Sequence, residues 1–372
     1  MRVAVNAEQI VQDGVSGIAT YTTELLRRLP GRGWDVTAFT ARHAPEHVDA
    51  AMRAAGLDGV RPVVLPVPRP ALYDAWHTAG IASPVRRVAP VDLVHAPSVA
   101  VPPVREVPLV VTAHDAAPVT FPETYTKRGR WFHKRGFAAA ARRARLVIAV
   151  SEFSADELAA HTPIPRARIR VVPNGVDLER ATQDAVARAR ATYGIGDRPY
   201  VLWVGTLQPR KNIDVLVAAF RAAVAEAHLP HVLVLVGAQG WLASDSPRGS
   251  GGEHILTPGA IGRPDLTALY AGADLFAYPS LHEGFGLPAI EAMAQGTPVL
   301  ASDIPVFHEV GGEVARFVDP SDVVAWQRAL VELLRDEAER QERGALGPAH
   351  AAGFSWDRCI ERTTAVYREA LS

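Results

Sequence analysis

A single cysteine, Cys359, stands in a chain of 372 residues, so an intrachain disulfide is excluded. The chain suits a reducing compartment or is indifferent to redox state. No apolar run approaches the length of a membrane span. The first residues, Met1-Arg-Val-Ala-Val-Asn6, run straight into a strand pattern with no signal-peptide region. These absences predict a cytoplasmic protein, one that can still rest on the inner face of a membrane. Formal net charge is only −1, so no global field draws in nucleic acid. Asp-x-Asp is missing and no His/Cys cluster has metal-ligand spacing; neither a metal nor another cofactor is expected. A Gly-x-Gly-x-x-Gly fingerprint is missing too, which disfavours a nicotinamide oxidoreductase. No solenoid-period repeat is present.

The length exceeds one ordinary core, so two domains are expected. Hydrophobic content of 48% and charged content of 21% fit a globular enzyme. Strand patterns at 2–7, 35–40, 63–67, 92–95, 108–112 and 146–150 alternate with helical ones, then 177–199 turns polar and alanine-rich. A second alternating series begins at Tyr200. Two such series imply an α/β protein with two doubly wound parallel sheets, and the cleft between them is the natural ligand site. The expected division is a first domain over 1–178, a linker over 179–198, a second domain over 199–353 and a terminal helix over 354–372. Ser151-Glu-Phe-Ser154 predicts a helix cap, with Glu157 at capping-box spacing from Ser154, and 321–343 reads as one helix.

The chain is organised around Tyr278-Pro-Ser-Leu-His-Glu-Gly-Phe-Gly-Leu-Pro-Ala-Ile-Glu291. A buried strand pattern precedes it, and Pro288 marks the first turn of a following helix. Gly284 and Gly286 let backbone amides turn toward a bound group. Strand, glycine loop and helix N-terminus together form an anion site. Glu283 and Glu291 flank that site; carboxylates are poor phosphate ligands and good acceptors for hydroxyl groups. Hydroxyls next to phosphates suggest a sugar nucleotide. Arg210 and Lys211 follow the first strand of the second series, where they can grip a phosphate. A second strand–glycine–helix passage lies at Asp13-Gly-Val-Ser-Gly17, with Tyr21 on the helix. His114-Asp115 ends a parallel strand, at the edge where such sheets bind ligands. From Lys127 to Arg145 the chain is dense in basic residues, with Trp131, Phe132 and Phe137 interleaved. Two readings stand for that stretch: a face resting on anionic lipid or an acidic acceptor, or a solvated helix face with its aromatics in the core.

Glu-Gly-Phe-Gly-Leu-Pro with a second Glu eight positions after the first resembles the paired-glutamate motif of retaining GT-B glycosyltransferases of family 4. Further resemblance lies in the glycine loop, His114-Asp115, Ser151-x-Phe-Ser154, Val172-Pro-Asn-Gly-Val-Asp177, Gly205-Thr-Leu-x-Pro-Arg-Lys-Asn212 and the Phe354-Ser-Trp helix. It implies two Rossmann-like domains facing a central cleft, the last helix crossing back to the first domain. It also implies transfer of a hexose from a nucleoside-diphosphate sugar to a glycan, lipid-linked or small-molecule acceptor, with retained configuration and no metal. By match of position, Arg210 and Lys211 hold the diphosphate and Gly17 faces it. Glu291 binds the ribose. Glu283 faces the sugar, under the amides of Phe285, Gly286 and Leu287, beside Gly284. His114 orients the sugar, and Asp115 and Tyr21 lie on the acceptor side. The Pro-Arg-Lys-Asn form resembles a mannosyltransferase-rich subgroup, so GDP-mannose is the first expectation, with UDP-sugars and dTDP-rhamnose open. Two departures stand out: Thr206, where some relatives carry Arg, and Val306-Phe-His-Glu309, where Ser-Leu-Pro-Glu is common. An epimerase, a phosphorylase and a non-catalytic sugar-nucleotide sensor are the rival readings.

Overall fold

The computed structural model describes residues 1–12, 17–238, 240 and 254–372. The chain forms two units, Met1–Gly175 with Trp356–Ser372, and Val176–Ser355. In the first, seven strands run in parallel: β1 (Arg2–Asn6), β2 (Asp35–Thr40), β3 (Arg61–Val64), β4 (Leu93–Ala96), β5 (Leu109–Ala113), β6 (Leu146–Ala149) and β7 (Ile169–Val171). Their order is β3-β2-β1-β4-β5-β6-β7. β4, β5 and β6 are buried at every residue, which is why they read as continuous apolar runs rather than alternating ones. Separate apolar clusters flank the sheet, one holding Phe39, Trp76 and Phe137, the other Tyr21, Trp34, Trp356 and Tyr367.

The second unit repeats the winding with β8 (Tyr200–Val204), β9 (Val232–Val236), β10 (Ile255–Gly259), β11 (Leu275–Tyr278), β12 (Val299–Ser302) and β13 (Arg316–Val318). Its order is β10-β9-β8-β11-β12-β13, all parallel. Each sheet reverses direction once, between β1 and β4 and between β8 and β11. Ligands of open α/β sheets bind beyond the strand C-termini at that reversal.

The structure corrects several expectations. The stretch 179–198 is not a bare link. Thr182 caps a helix, Gln183–Thr192, whose Val186 and Ala189 are buried in the second unit. Gln295 ties its approach down, accepting from the Ala181 amide at 2.9 Å and donating to the Glu179 carbonyl at 2.9 Å. The alanines that looked like linker composition are helix formers. Within the expected cap Ser151-Glu-Phe-Ser154, it is Ser151 that precedes helix Glu152–His161, its hydroxyl accepting from the Ser154 amide at 3.0 Å; Ser154 lies inside the helix. The single helix expected over 321–343 is two, Val323–Arg335 and Glu337–Ala351. Asp336 divides them because its carboxylate accepts from the Glu339 amide at 2.9 Å and starts a new N-terminus.

Candidate active site

In the second unit, the loops after β8 and β11 meet, since the two strands are neighbours at the sheet reversal. Pro209–Lys211 is one 3₁₀ turn, closed by Asn212 at φ +55°. The Asn212 amide side chain donates to the Pro279 carbonyl at 3.0 Å and the Pro320 carbonyl at 2.7 Å, and the Leu281 amide donates to the Arg210 carbonyl at 2.9 Å. These bonds fix the turn against the loop that carries Glu283.

Lys211 Nζ lies 2.5 Å from Glu283 Oε1 and donates to the Tyr278 hydroxyl at 2.9 Å. Arg210 reaches Glu283 Oε2 at 3.1 Å and also donates to the His282 carbonyl. All three charged side chains are buried. Burial alone would raise the Glu283 pKa; the Lys211 and Arg210 charges outweigh it and hold the carboxyl well below its usual range. Tyr278 moves the other way, because burial and the Glu283 charge both oppose a phenolate.

Helix Leu287–Gln295 begins directly after this cluster. Gly286 stands at φ +99°, and a Cβ there would come within 2.8 Å of Phe307, so the turn into the helix requires glycine. Phe285 is buried with its ring edge-on to Phe354 at 5.7 Å. Gly284 is buried and Leu287 half-buried at the helix start. One turn further, Glu291 Oε1 accepts from Arg263 at 2.6 Å and Oε2 from the Tyr270 hydroxyl at 3.0 Å. Arg263 also lies 3.6 Å from Asp177. The Glu291 charge raises the Arg263 pKa against the pull of burial. A pocket of about 370 Å³ opens beside Glu291, Arg263, Tyr270, Asp177 and Thr182.

Both glutamates, expected to accept from hydroxyl groups, already have protein partners. In this structure Glu283 is already bonded to two cations, and Glu291 to a cation and a phenol, although a carboxylate retains further acceptor positions. Arg263 and Tyr270 were missed by sequence reasoning, and Tyr278 was read only as the end of a strand, without its bond to Lys211. One clue existed: Arg263 opens helix Arg263–Ala271, where a basic residue opposes the helix dipole and so calls for a separate reason.

In the first unit, His114 follows β5. Its Nε2–H donates to the Pro97 carbonyl at 2.9 Å, which leaves Nδ1 of the neutral ring as the acceptor. Burial lowers its pKa, against the Pro97 bond and Asp115. The Tyr21 ring packs edge-on against it at 5.3 Å. Tyr21, expected on the acceptor side, is fully buried, and its hydroxyl lies 3.0 Å from Thr112 Oγ1; it backs His114 instead of presenting a surface. The Asp115 carboxylate accepts from the Ala117 amide at 3.0 Å and shapes the turn after β5. Gly17 is the exposed first residue of helix Gly17–Arg28, while the rest of the expected glycine loop, 13–16, lies outside the described residues. The basic stretch is helix Lys127–Arg143, with Phe137 buried, Trp131 and Phe132 half-buried, and Lys134 and Arg135 exposed.

Comparison with known proteins places these features. The model described as "Glycosyltransferase Family 4" matches residues 15–180, and that described as "Glycosyl transferases group 1" matches 198–336. The chain is 33% identical over 270 residues to O-antigen chain mannosyltransferase B of Escherichia coli, covering 70% of each chain. It is 34% identical over 299 residues to D-inositol 3-phosphate glycosyltransferase of Salinispora tropica, covering 72% of this chain and 60% of that one. Among solved structures, sucrose-phosphate synthase from Thermosynechococcus elongatus superposes with a TM-score of 0.76 at 24% identity, covering 99% and 98% of the two chains. Anabaena HepE in complex with UDP-glucose superposes with a TM-score of 0.75 at 17% identity, covering 99% and 100%. With both units matched by the family models and a third of the aligned residues shared with a mannosyltransferase, the chain belongs to glycosyltransferase family 4 and has the GT-B fold.

Proposed function

We propose that this glycosyltransferase moves mannose from GDP-mannose to a sugar-bearing acceptor, with retention and without a metal. The observation that supports it most is the triad of Arg210, Lys211 and Glu283 at the N-terminus of helix Leu287–Gln295. A departing nucleoside diphosphate gains negative charge as the glycosidic bond breaks. Two fixed cations and a helix N-terminus favour that charged state over the bound donor, which lowers the barrier. Glu291, anchored by Arg263 and Tyr270, is assigned to the ribose hydroxyls beside the 370 Å³ pocket. The amides of Phe285, Gly286 and Leu287 are assigned to sugar and phosphate, and His114 to orienting the sugar.

Retention by a covalent route would need a free carboxylate nucleophile at the anomeric carbon. Glu283 is instead held between two cations. Same-face attack, with the leaving phosphate oxygen taking the acceptor proton, fits that arrangement. Mannose is favoured by similarity to the E. coli mannosyltransferase. Similarity to the inositol-phosphate enzyme supports a second acceptor class, a phosphorylated polyol.

The test is a panel of nucleotide sugars against a mannose-ended glycan and an inositol phosphate, with chelator present throughout. GDP-mannose should give the largest turnover and an α-linked product by NMR. Lys211→Ala should lose transfer by a factor of about 100 or more, the scale of one lost transition-state charge contact, with its fold intact by circular dichroism. An active Lys211→Ala enzyme contradicts the diphosphate assignment. Loss of turnover in chelator contradicts metal independence. Consumption of donor without acceptor and without release of GDP points to the epimerase reading.

A further inference from the structure

A second cavity lies in the first unit, at the N-terminal ends of β5 and β6. About 820 Å³ of space is bounded by the turn at 78–80, the approach to β5 at 103–109 and the junction between helix Lys127–Arg143 and β6. Leu109, the first residue of β5, lines it, whereas His114 follows the last. Five strand residues span about 16 Å, so the cavity and His114 occupy opposite ends of the same sheet.

Arg105, Arg142, Arg143, Arg145 and Arg168 line the cavity, and no carboxylate does. Helix capping accounts for part of this. A helix C-terminus carries about half a negative charge, which Arg142 and Arg143 already exceed. The scaffold holds two of the guanidinium groups through backbone carbonyls: Arg143 donates to Val101 at 3.1 Å and Arg168 to Ala141 at 2.9 Å. Neither bond offsets charge. Glu106 feels the Arg105 charge and Glu369 the Arg145 charge, but both carboxylates are already engaged elsewhere. Glu106 accepts from the Arg105 amide at 3.0 Å, and Glu369 pairs with Arg170 at 2.5 Å. The crowding has a cost: after burial, the Arg142 and Arg105 charges push the Arg143 pKa down. Like charges gathered around an open cavity, without an ion pair to any acid among the described residues, are relieved by an anion.

We propose that this cavity binds a phosphate-bearing anion of two or more charges, at a site separate from Arg210 and Lys211. Arginine's planar fork matches phosphate oxygens in pairs, and five of them around one cavity exceed what a monovalent ion needs. A soluble phosphate ester and a phospholipid headgroup share that chemistry.

Inorganic pyrophosphate is titrated calorimetrically into the full chain carrying Lys211→Ala, with and without Arg105→Ala and Arg142→Ala. Both arginine side chains are exposed, so the fold should persist, checked by an unchanged thermal midpoint. In parallel, the wild-type chain and the Arg105→Ala/Arg142→Ala variant are floated with phosphatidylcholine vesicles with or without phosphatidylglycerol. Each arginine near an anionic surface contributes about fivefold, so the double change should weaken binding by about 30-fold in at least one arm. Sensitivity only to pyrophosphate identifies a soluble ester; sensitivity with phosphatidylglycerol vesicles identifies a headgroup. If neither arm responds to the two substitutions, the proposal is overturned.

Discussion

Two cations lean on one carboxylate at Glu283, so the triad as a whole is singly positive. Removing a partner from a buried ion cluster leaves uncompensated charge, at a cost of about 3–5 kcal/mol. Glu283→Gln should therefore lower the unfolding free energy by that amount, read from urea melts. An added nucleoside diphosphate supplies the missing negative charge, so it should restore more stability to the variant than it adds to wild type. A variant as stable as wild type would show that the pairing contributes nothing. At the same scale, Glu283, Glu291, Arg210 and Lys211 stood out by residue type and spacing; Arg210, Lys211 and Glu283 lie on the loops after β8 and β11, and Glu291 on the helix that follows. Their mutual pairing was not legible, because it depends on β8 and β11 lying side by side, which brings Lys211 to Tyr278 across 67 positions of chain. Arg263 and Tyr270 were hidden for a related reason: they reach Glu291 only because helix Arg263–Ala271 packs against helix Leu287–Gln295.

Between strand β11 and helix Leu287–Gln295, direction changes within a few residues, and Gly286 makes the last part of that change. Its φ of +99° is strained for any L side chain, and the nearest atom to a new Cβ is the Phe307 ring at 2.8 Å. Gly286→Ala should cost about 1–3 kcal/mol and turn the loop amides away from their present direction. Donor binding should then fall further than the stability loss explains, measured by calorimetry below the melting transition. Wild-type affinity in Gly286→Ala would remove those amides from the site. Strand–glycine–helix passages announce themselves in sequence because apolar runs, glycine and proline each mark a boundary. β13, with Arg316 at its start and three half-buried residues, carries no such apolar run. The break at Asp336 was equally silent, since a lone aspartate in an amphipathic pattern reads as an exposed face until its side chain is seen accepting the Glu339 amide.

Both units share one winding, yet they carry their titratable groups differently, and acid should separate them. In the first unit burial depresses His95 to about 3 and His77 to about 4, and lowers His114 and His133 as well. His95 sits between Thr112 Oγ1 at 2.9 Å and the Tyr367 hydroxyl at 2.6 Å, so it also ties the last helix to the sheet. An unfolded histidine takes up its proton near 6.5, while these folded ones do not. The unfolded state then binds more protons between 6.5 and the folded values, so stability is full above 6.5 and falls as pH drops through that window. Each such histidine contributes a slope of up to about 1.4 kcal/mol per pH unit. In the second unit only His231 is lowered among the described residues. Glu283 there has a depressed folded pKa, so its contribution holds until pH falls below the ordinary carboxylate value of 4.5. Between about pH 6.5 and 5 the first unit should therefore lose more stability than the second. Hydrogen exchange at about pH 7.5 and 5.0, on either side of that window, should show protection of β4 and β5 dropping more than that of β8 and β11 once corrected for intrinsic rates. Equal losses in the two sheets would mean that the buried histidines do not govern the acid limb.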